Sequence, residues 1–135
     1  MNVKAQTVLF ALCVALTAVA GVRAKSTWTI PDDAPELASP VKVDANVRKR
    51  GASIFNSRCR KCHGPEGKGD GPYSDLEEPA ADLTMAEVGR IPDGVLFYKI
   101  WNGKKPMPAF KTDLEKKDVW SVVAFVKTLS AVKTQ

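Results

Sequence analysis

Apolar residues recur at helical spacing in several parts of the chain, and no alternating run is long enough to predict a sheet. Residues that commonly begin or end helices lie beside these parts. Asp44 can cap the first predicted helix, Asp93 the third, and Thr112 or Asp113 the last, while Gly103 follows the third helix. The pattern therefore predicts an all-α fold of three to five helices. The predicted helices cover residues 44–60, 83–88, 94–102 and 112–132.

Two segments between the predicted helices are rich in Gly and Pro. Residues 64–72 read GPEGKGDGP, a composition that predicts a tight loop. The glycine spacing differs from that of a phosphate-binding loop, and neither Ser nor Thr follows its lysine. Residues 104–110 form the second loop, in which Pro106 and Pro108 flank Met107. Because both prolines restrict the backbone, the Met107 side chain is expected to lie outside any helix.

The N-terminal segment has the order of a secretory signal. Residues 1–6 carry one Lys, residues 7–21 read TVLFALCVALTAVAG without a charge, and Ala24 ends a sequence that a signal peptidase would recognise. The apolar run is shorter than the roughly 20 residues that span a bilayer core. We therefore predict a signal peptide over residues 1–24, which would take Cys13 with it, and a periplasmic mature chain. The alternative is an uncleaved anchor that holds the protein at the membrane, facing the periplasm.

Composition limits the number of domains and the classes of partner. The 135 residues fit one core, and 44% hydrophobic and 26% charged residues are ordinary for a globular protein. We predict a Pro-rich extended arm over residues 25–43 and one domain over residues 44–135. The net charge is +5, and it falls to +3 when the basic residues of the signal, Lys4 and Arg23, are left out. This excess is too small to predict nucleic acid binding.

The sequence Cys59-Arg60-Lys61-Cys62-His63 carries the clearest chemistry in the chain. Its C-x-x-C-H spacing is that of c-type haem attachment. Two thiols three residues apart at a helix end lie on the same side of the chain, where both can reach one porphyrin edge. The imidazole that follows directly can then bind the iron over the ring face. His63 is the only His in the chain, which makes the match more specific.

Three other interpretations of the C-x-x-C-H motif fit the sequence less well than haem attachment does. A structural zinc site needs four Cys or His ligands, and the mature chain has three. A thioredoxin-like redox pair belongs to a βαβ setting, which the pattern does not predict. A simple Cys59–Cys62 disulfide is the remaining alternative. The predicted export favours haem, because c-type haem is joined to its protein outside the cytoplasm.

Iron bound by His63 has a further axial position, and a Met thioether is a common ligand there in electron-transfer proteins. The mature chain has two methionines, Met85 and Met107. Met107 lies in the Pro-restricted loop, whereas Met85 falls in a predicted helix, where Met commonly fills a core. We therefore predict Met107 as the second axial ligand. The alternative is an open, five-coordinate iron with both methionines in ordinary packing.

With these residues the chain resembles the small monohaem class I c-type cytochromes, and the bacterial members more than the mitochondrial one. The resemblance covers about residues 44–129. Gly51 and Phe55 match the positions at which such proteins cross their first and last helices, with Val122 and Phe125 as the partners on the last helix. The resemblance implies the cytochrome c fold, with helices wrapped round one covalently attached haem c. The expected walls of the haem site are Phe55, Leu96, Ile100, Phe110 and Val122.

The resemblance also implies a partner for the imidazole. In this family a Gly-Pro pair follows the haem motif, and Gly71-Pro72 matches it. We therefore expect the Pro72 carbonyl to accept a hydrogen bond from His63 Nδ1, which would fix the tautomer of the ring.

The function that follows is a one-electron carrier rather than an enzyme, since two axial ligands would leave no open iron position. The partners would be redox proteins, some with acidic docking surfaces, and membrane contact would come only through partners or an uncleaved anchor. Alternatives are a haem subunit of a dehydrogenase or oxidase complex and a five-coordinate, gas-binding or peroxidase-like cytochrome. The basic residues expected to border the exposed haem edge are Arg60, Lys61, Lys104, Lys105 and Lys111.

Overall fold

The computed structural model describes residues 28–74 and 78–131, so the predicted signal peptide and Cys13 lie outside the described residues. Over these ranges the fold is all-α, as predicted, and the only extended pairing there is a single bridge between Lys104 and Met107. No helix in these ranges has both the length and the apolar character needed to cross a membrane. The helices are α1 (Ala45–Ile54), α2 (Arg60–His63), α3 (Ala86–Arg90), α4 (Asp93–Asn102) and α5 (Lys116–Ala131), with a π-helical turn at Phe55–Cys59 and a 3-10 turn at Ala34–Glu36.

The first helix begins at the predicted cap. Asp44 has extended backbone angles, and its carboxylate accepts a hydrogen bond of 2.8 Å from the Val47 N–H. The helical path continues through the π-helical turn and α2, so it ends at His63 rather than near Arg60. The C-x-x-C-H motif therefore occupies the last turns of one continuous helical segment.

The first and last helices cross at Gly51, as the resemblance implied. A Cβ atom placed on Gly51 would lie 1.9 Å from the Ser121 carbonyl oxygen and 2.9 Å from Phe125 Cβ. Only a residue without a side chain allows this approach of the two backbones. Just after α1, at the start of the π-helical turn, the ring of Phe55 packs against that of Phe125 at 5.3 Å between centroids. Phe55 and Val122 are both fully buried in this contact region.

Two helices begin later than the pattern predicts. The short helix starts at Ala86, not near Leu83, because the Asp82 carboxylate accepts hydrogen bonds from both the N–H and the hydroxyl of Thr84 and holds that segment in a turn. The last helix starts at Lys116, not at residue 112 or 113. There the Phe110 carbonyl accepts the N–H groups of residues 113 and 114 and forms a separate turn.

The corner between α3 and α4 is fixed by one lysine of α5. Lys127 Nζ lies 3.0 Å from the Gly89 carbonyl, 2.5 Å from the Ile91 carbonyl and 3.0 Å from a carboxylate oxygen of Asp93. Asp93 is thus the first residue of α4 and an ion-pair partner, and the cap position is taken by Pro92 rather than by Asp93 as predicted.

The described part of the predicted arm, residues 28–43, is in contact with the helical domain. It contains a 3-10 turn at Ala34–Glu36 and packs against α4. Ala34 is only 1% exposed, and Val41 packs against the main core. The prolines of the arm favour extended backbone, and contact with α4 adds the buried 3-10 turn at Ala34–Glu36.

Candidate functional site

The two motif cysteines lie three residues apart in the helical segment that ends at His63. Both are half-buried free thiols, and no disulfide joins them in the structure. Burial, with a smaller contribution from the neighbouring Cys62, raises the pKa of Cys59 from 9.0 to about 12. A thiol held neutral in this way is a poor redox nucleophile, because the thiolate is the reactive form. The raised pKa of Cys59 therefore weighs against the redox-pair interpretation.

The Gly-rich loop runs back along the motif and holds its backbone. The N–H groups of Gly69, Gly71 and Tyr73 donate to the carbonyls of His63, Cys62 and Lys61 at 2.8, 3.1 and 3.1 Å. A Cβ atom on Gly71 would lie 2.4 Å from the Lys61 carbonyl oxygen, so the approach requires a glycine. The loop that the sequence predicted thus serves as the support for the candidate ligands.

The imidazole of His63 is oriented by a main-chain carbonyl. Its Nδ1 lies 3.0 Å from the Ala81 oxygen, and because a carbonyl can only accept, the ring nitrogen donates. In the neutral ring Nε2 then carries no proton and is the nitrogen available to a metal. Burial lowers the pKa of His63, and the hydrogen bond to Ala81 opposes this shift. The neutral form that binds iron is therefore favoured.

The predicted partner of His63, the Pro72 carbonyl, is wrong in this structure. Pro72 is exposed and lies between Gly71 and Tyr73, whose N–H groups bond to the backbone of the motif and not to the ring. The chain reaches the imidazole only on its later return, at Ala81.

That return is fixed by contacts within the same loop. The Leu83 N–H donates to the Gly67 carbonyl at 2.6 Å, and a Cβ on Gly69 would lie 2.4 Å from the Ala80 oxygen. Sequence reasoning missed Ala81 because any residue can supply a carbonyl. The one available signal was the position of an apolar residue, Leu83, where the loop rejoins the core.

The Met107 loop is closed on itself and attached to α4. Lys104 and Met107 exchange both backbone hydrogen bonds, at 3.0 and 2.8 Å. Past the loop, the N–H groups of Phe110 and Lys111 donate to carbonyls in the last turn of α4 at 3.3 and 3.1 Å. Met107 is half-buried and packs against the core cluster. These bonds give the thioether a fixed support.

The second methionine is placed differently. Met85 was predicted to lie in a helix and fill the core. Instead it is 47% exposed and has extended backbone angles just before α3. Of the two candidates, only Met107 lies against the apolar cluster that also receives Cys59.

The apolar cluster brings together every predicted wall residue. Its members are buried side chains from α1, the π-helical turn, α3, α4, α5 and the loop at Phe110, and both Cys59 and Met107 pack against it. The described residues contain no group of three or more His, Cys, Asp or Glu side chains that could hold a metal ion alone. Two half-buried thiols, one imidazole with a free Nε2 and one thioether beside apolar side chains fit a covalently bound haem better than zinc. The predicted walls in this cluster are Phe55, Leu96, Ile100, Phe110 and Val122.

Comparison with known proteins identifies the same region. Residues 46–126 match the family described as cytochrome c oxidase, cbb3-type, subunit III. Cytochrome c6 of Alaria esculenta is 36% identical over 89 residues, which are 65% of this chain and 94% of that protein.

Two solved structures share the fold over part of their length. A chain of the Kuenenia stuttgartiensis reducing HAO-like protein complex Kustc0457/Kustc0458 has a TM-score of 0.57 and 27% identity, over 67% of this chain and 46% of that one. Cytochrome cL of Methylophaga aminisulfidivorans has a TM-score of 0.51 and 26% identity, over 64% of this chain and 55% of that one. The chain therefore spans about half the length of these two structures.

Proposed function

Because this chain belongs to the c-type cytochromes, which carry electrons on covalently bound haem c, we propose that His63 and Met107 hold its iron and that it shuttles single electrons between redox-partner proteins. The family membership confirms the predicted cytochrome c fold, the haem c cofactor and the electron-carrier function. The proposal adds the ligand set and the roles of individual residues.

The chain's own residues divide the work between two sides of the site. We propose that Cys59 and Cys62 attach the porphyrin, and that the Ala81 carbonyl keeps a proton on His63 Nδ1 so that Nε2 faces the metal. On the other side the closed turn at Lys104–Met107 presents the thioether. When bound, haem c supplies an iron that alternates between Fe(III) and Fe(II). Two protein ligands, His63 and Met107, would leave no iron site for a substrate, which supports a carrier rather than an enzyme.

One observation carries the proposal most directly. Cys59 and Met107, which are far apart in sequence, pack against the same buried apolar cluster, and Met85 does not. A thioether ligand in apolar surroundings raises the reduction potential and lowers solvent access to the iron.

The visible spectrum of the oxidised holoprotein tests the ligand set. We expect the weak absorption band at the red edge that reports methionine–iron bonding. Met107→Ala should abolish this band, and Met85→Ala, which changes an exposed methionine, should retain it. A band that survives in Met107→Ala would contradict the proposed ligand. A wild-type protein without the band would favour the five-coordinate alternative.

We also propose that acidic partner proteins dock on a basic surface near the site. Arg60, Lys61, Lys105 and Lys111 are exposed; the first two lie within the haem motif, Lys105 lies within the Met107 loop, and Lys111 follows that loop directly. Several positive charges in one region attract an acidic partner at long range, and they mainly raise the association rate. The rate of electron transfer with an acidic partner should therefore fall as ionic strength rises. A rate that does not respond to salt would contradict this docking surface.

For location, we propose export to the periplasm with removal of residues 1–24. The predicted signal supports this. The mass of the protein purified from periplasm should correspond to a chain that begins at Lys25 and carries one haem. A mass that includes the first 24 residues would instead support the anchored alternative.

The description of the matching family favours a second candidate, a haem subunit held in an oxidase complex. The two candidates differ in the size of the native species. Elution of the haem protein as a monomer from a native periplasmic extract would favour the free carrier, and co-elution with a membrane complex would favour the subunit.

A further inference from the structure

The N-terminal arm precedes the region that the family matches, and it packs along α4. We infer that this arm holds α4 in place, and through α4 the Met107 loop, so that its residues are positioning residues for the thioether ligand. The inference rests on the proposed ligation of iron by Met107.

At the start of α4 the two backbones touch. A Cβ atom on Gly94 would lie 2.0 Å from the Ala34 carbonyl oxygen and 2.7 Å from Leu37 Cβ. Ala34 is almost fully buried by this contact. The arm therefore lies directly on the helix backbone at a position where only glycine leaves room.

The arm covers a second point further along the same helix. The Trp28 ring faces the Lys99 ammonium, with 5.5 Å from Nζ to the ring centroid. Lys99 and Gly94 are five residues apart, which is about 7.5 Å along a helix. The earlier arm residue contacts the later helix residue, so the arm runs antiparallel to α4 and holds it at two points.

Hydrogen bonds between residues two or three positions apart give the arm a fixed conformation of its own. The Ala34 N–H donates to the Pro31 carbonyl at 3.0 Å, and the Leu37 N–H donates to the Ala34 carbonyl at 3.3 Å. Ser39 then bonds to both backbone groups of Val41, whose side chain packs against the core. An arm anchored at each end in this way can resist a shift of the helix beneath it.

The last turn of α4 passes this restraint to the Met107 loop. The Lys99 carbonyl accepts the Gly103 N–H at 2.9 Å, at the point where the loop leaves the helix. The Ile100 carbonyl accepts the Phe110 N–H at 3.3 Å, where the loop returns. The residue that Trp28 covers, Lys99, thus belongs to the turn that holds both ends of the loop. A displacement of that turn would move Met107 relative to the rest of the core.

Added imidazole measures how readily the methionine leaves, because it competes with Met107 for ferric iron. The experiment uses the full-length oxidised holoprotein, titrated with imidazole while the methionine–iron band is followed. We expect Trp28→Ala and Gly94→Ala to bind imidazole about fivefold or more tightly than the wild type, since a larger fraction of molecules has a displaced loop. Trp28→Phe keeps a ring over Lys99 and should restore near wild-type affinity.

A matched control separates positioning from a general loss of stability. Arg50→Ala removes the ion pair between Arg50 and Asp118, which links α1 to α5. It should lower the unfolding temperature and leave the imidazole affinity unchanged.

Each outcome decides the inference. Unchanged imidazole affinity in Trp28→Ala and Gly94→Ala, with the band present in the wild type, would overturn the inference and leave the proposed function intact. Should Gly94→Ala fail to mature with haem, the comparison of Trp28→Ala with Trp28→Phe decides alone. A wild-type protein without the band would overturn the proposed ligation itself, and this inference with it.

Discussion

Substitution of Gly51 by Ala tests whether the crossing of α1 and α5 is as close as the structure shows. The added methyl group would lie 1.9 Å from the Ser121 carbonyl oxygen, 2.6 Å from the Ser121 carbonyl carbon and 2.9 Å from Phe125 Cβ. Two of these atoms belong to the backbone of α5, so no side-chain rotation can relieve the contact. The helices must separate, or α1 must rotate.

Two effects of opposite sign decide the magnitude. Alanine is favoured over glycine inside a helix by about 1 kcal/mol. Overpacking of a well-filled core costs about 1–3 kcal/mol, and occasionally more. Since 1.9 Å is about 1.5 Å short of ordinary contact, the cost should lie at or above the top of that range. We therefore expect a net loss of about 2 kcal/mol in the free energy of unfolding, or about 10 °C in Tm for a domain of this size.

Thermal unfolding of the holoprotein, followed by far-UV circular dichroism, measures the effect. Gly89→Ala is the matched control, because within 3.0 Å its methyl group meets only the hydroxyl oxygen of Ser130, a side-chain atom, and no backbone atom. The control should change Tm little. If Gly51→Ala unfolds at or above the wild-type temperature, the reasoning from backbone contact is refuted, because the helix-propensity gain would then have prevailed.

Two further predictions concern the core and its charges. Replacement of both Cys59 and Cys62 by Ala should yield a haem-free chain that is largely unfolded, because the porphyrin supplies much of the apolar centre. Near-native far-UV circular dichroism would contradict this. Arg50→Ala should lower Tm more than Lys49→Ala does, because the buried Asp118 would lose two hydrogen bonds, of 3.0 and 3.1 Å, whereas Lys49 is exposed. Equal effects would show that the ion pair adds no stability.

Helix ends were predictable where a local signal decides them. Asp44 caps α1, and Gly103 ends α4 with a φ of 62°, both as their residue types indicate. The starts of α3 and α5 were misplaced because side-chain and turn hydrogen bonds compete with the helix there. The Asp82 carboxylate, for example, takes the Thr84 N–H. Such bonds are compatible with the sequence pattern but are not imposed by it.

The arm shows a second limit of sequence reasoning. Its prolines correctly excluded a long helix, yet its burial depends on Gly94, which lies in another element. In the sequence, a helix glycine that makes room for a distant backbone looks the same as one that only weakens the helix. The two can be told apart only when the tertiary contact is known.

In the candidate site, side-chain chemistry was predictable and main-chain chemistry was not. The C-x-x-C-H motif and the methionine between two prolines are defined by residue type. The acceptor for His63 is a carbonyl, which every residue has, and its identity depends on how the loop between residues 64 and 84 returns. That return is set by bonds such as the one from Leu83 to Gly67, so the prediction of Pro72 failed although the need for an acceptor was correct.

The two sides of the proposed haem site are held by supports of different range. Cys62 and His63 are held by hydrogen bonds with Gly69, Gly71 and Ala81, which lie within 19 residues after Cys62 in sequence. Met107 depends instead on α4 and, by our inference, on an arm that begins far upstream. A support made of several separate elements has more ways to loosen than one local loop. The methionine side should therefore open before the imidazole side, and the arm would set how readily this occurs.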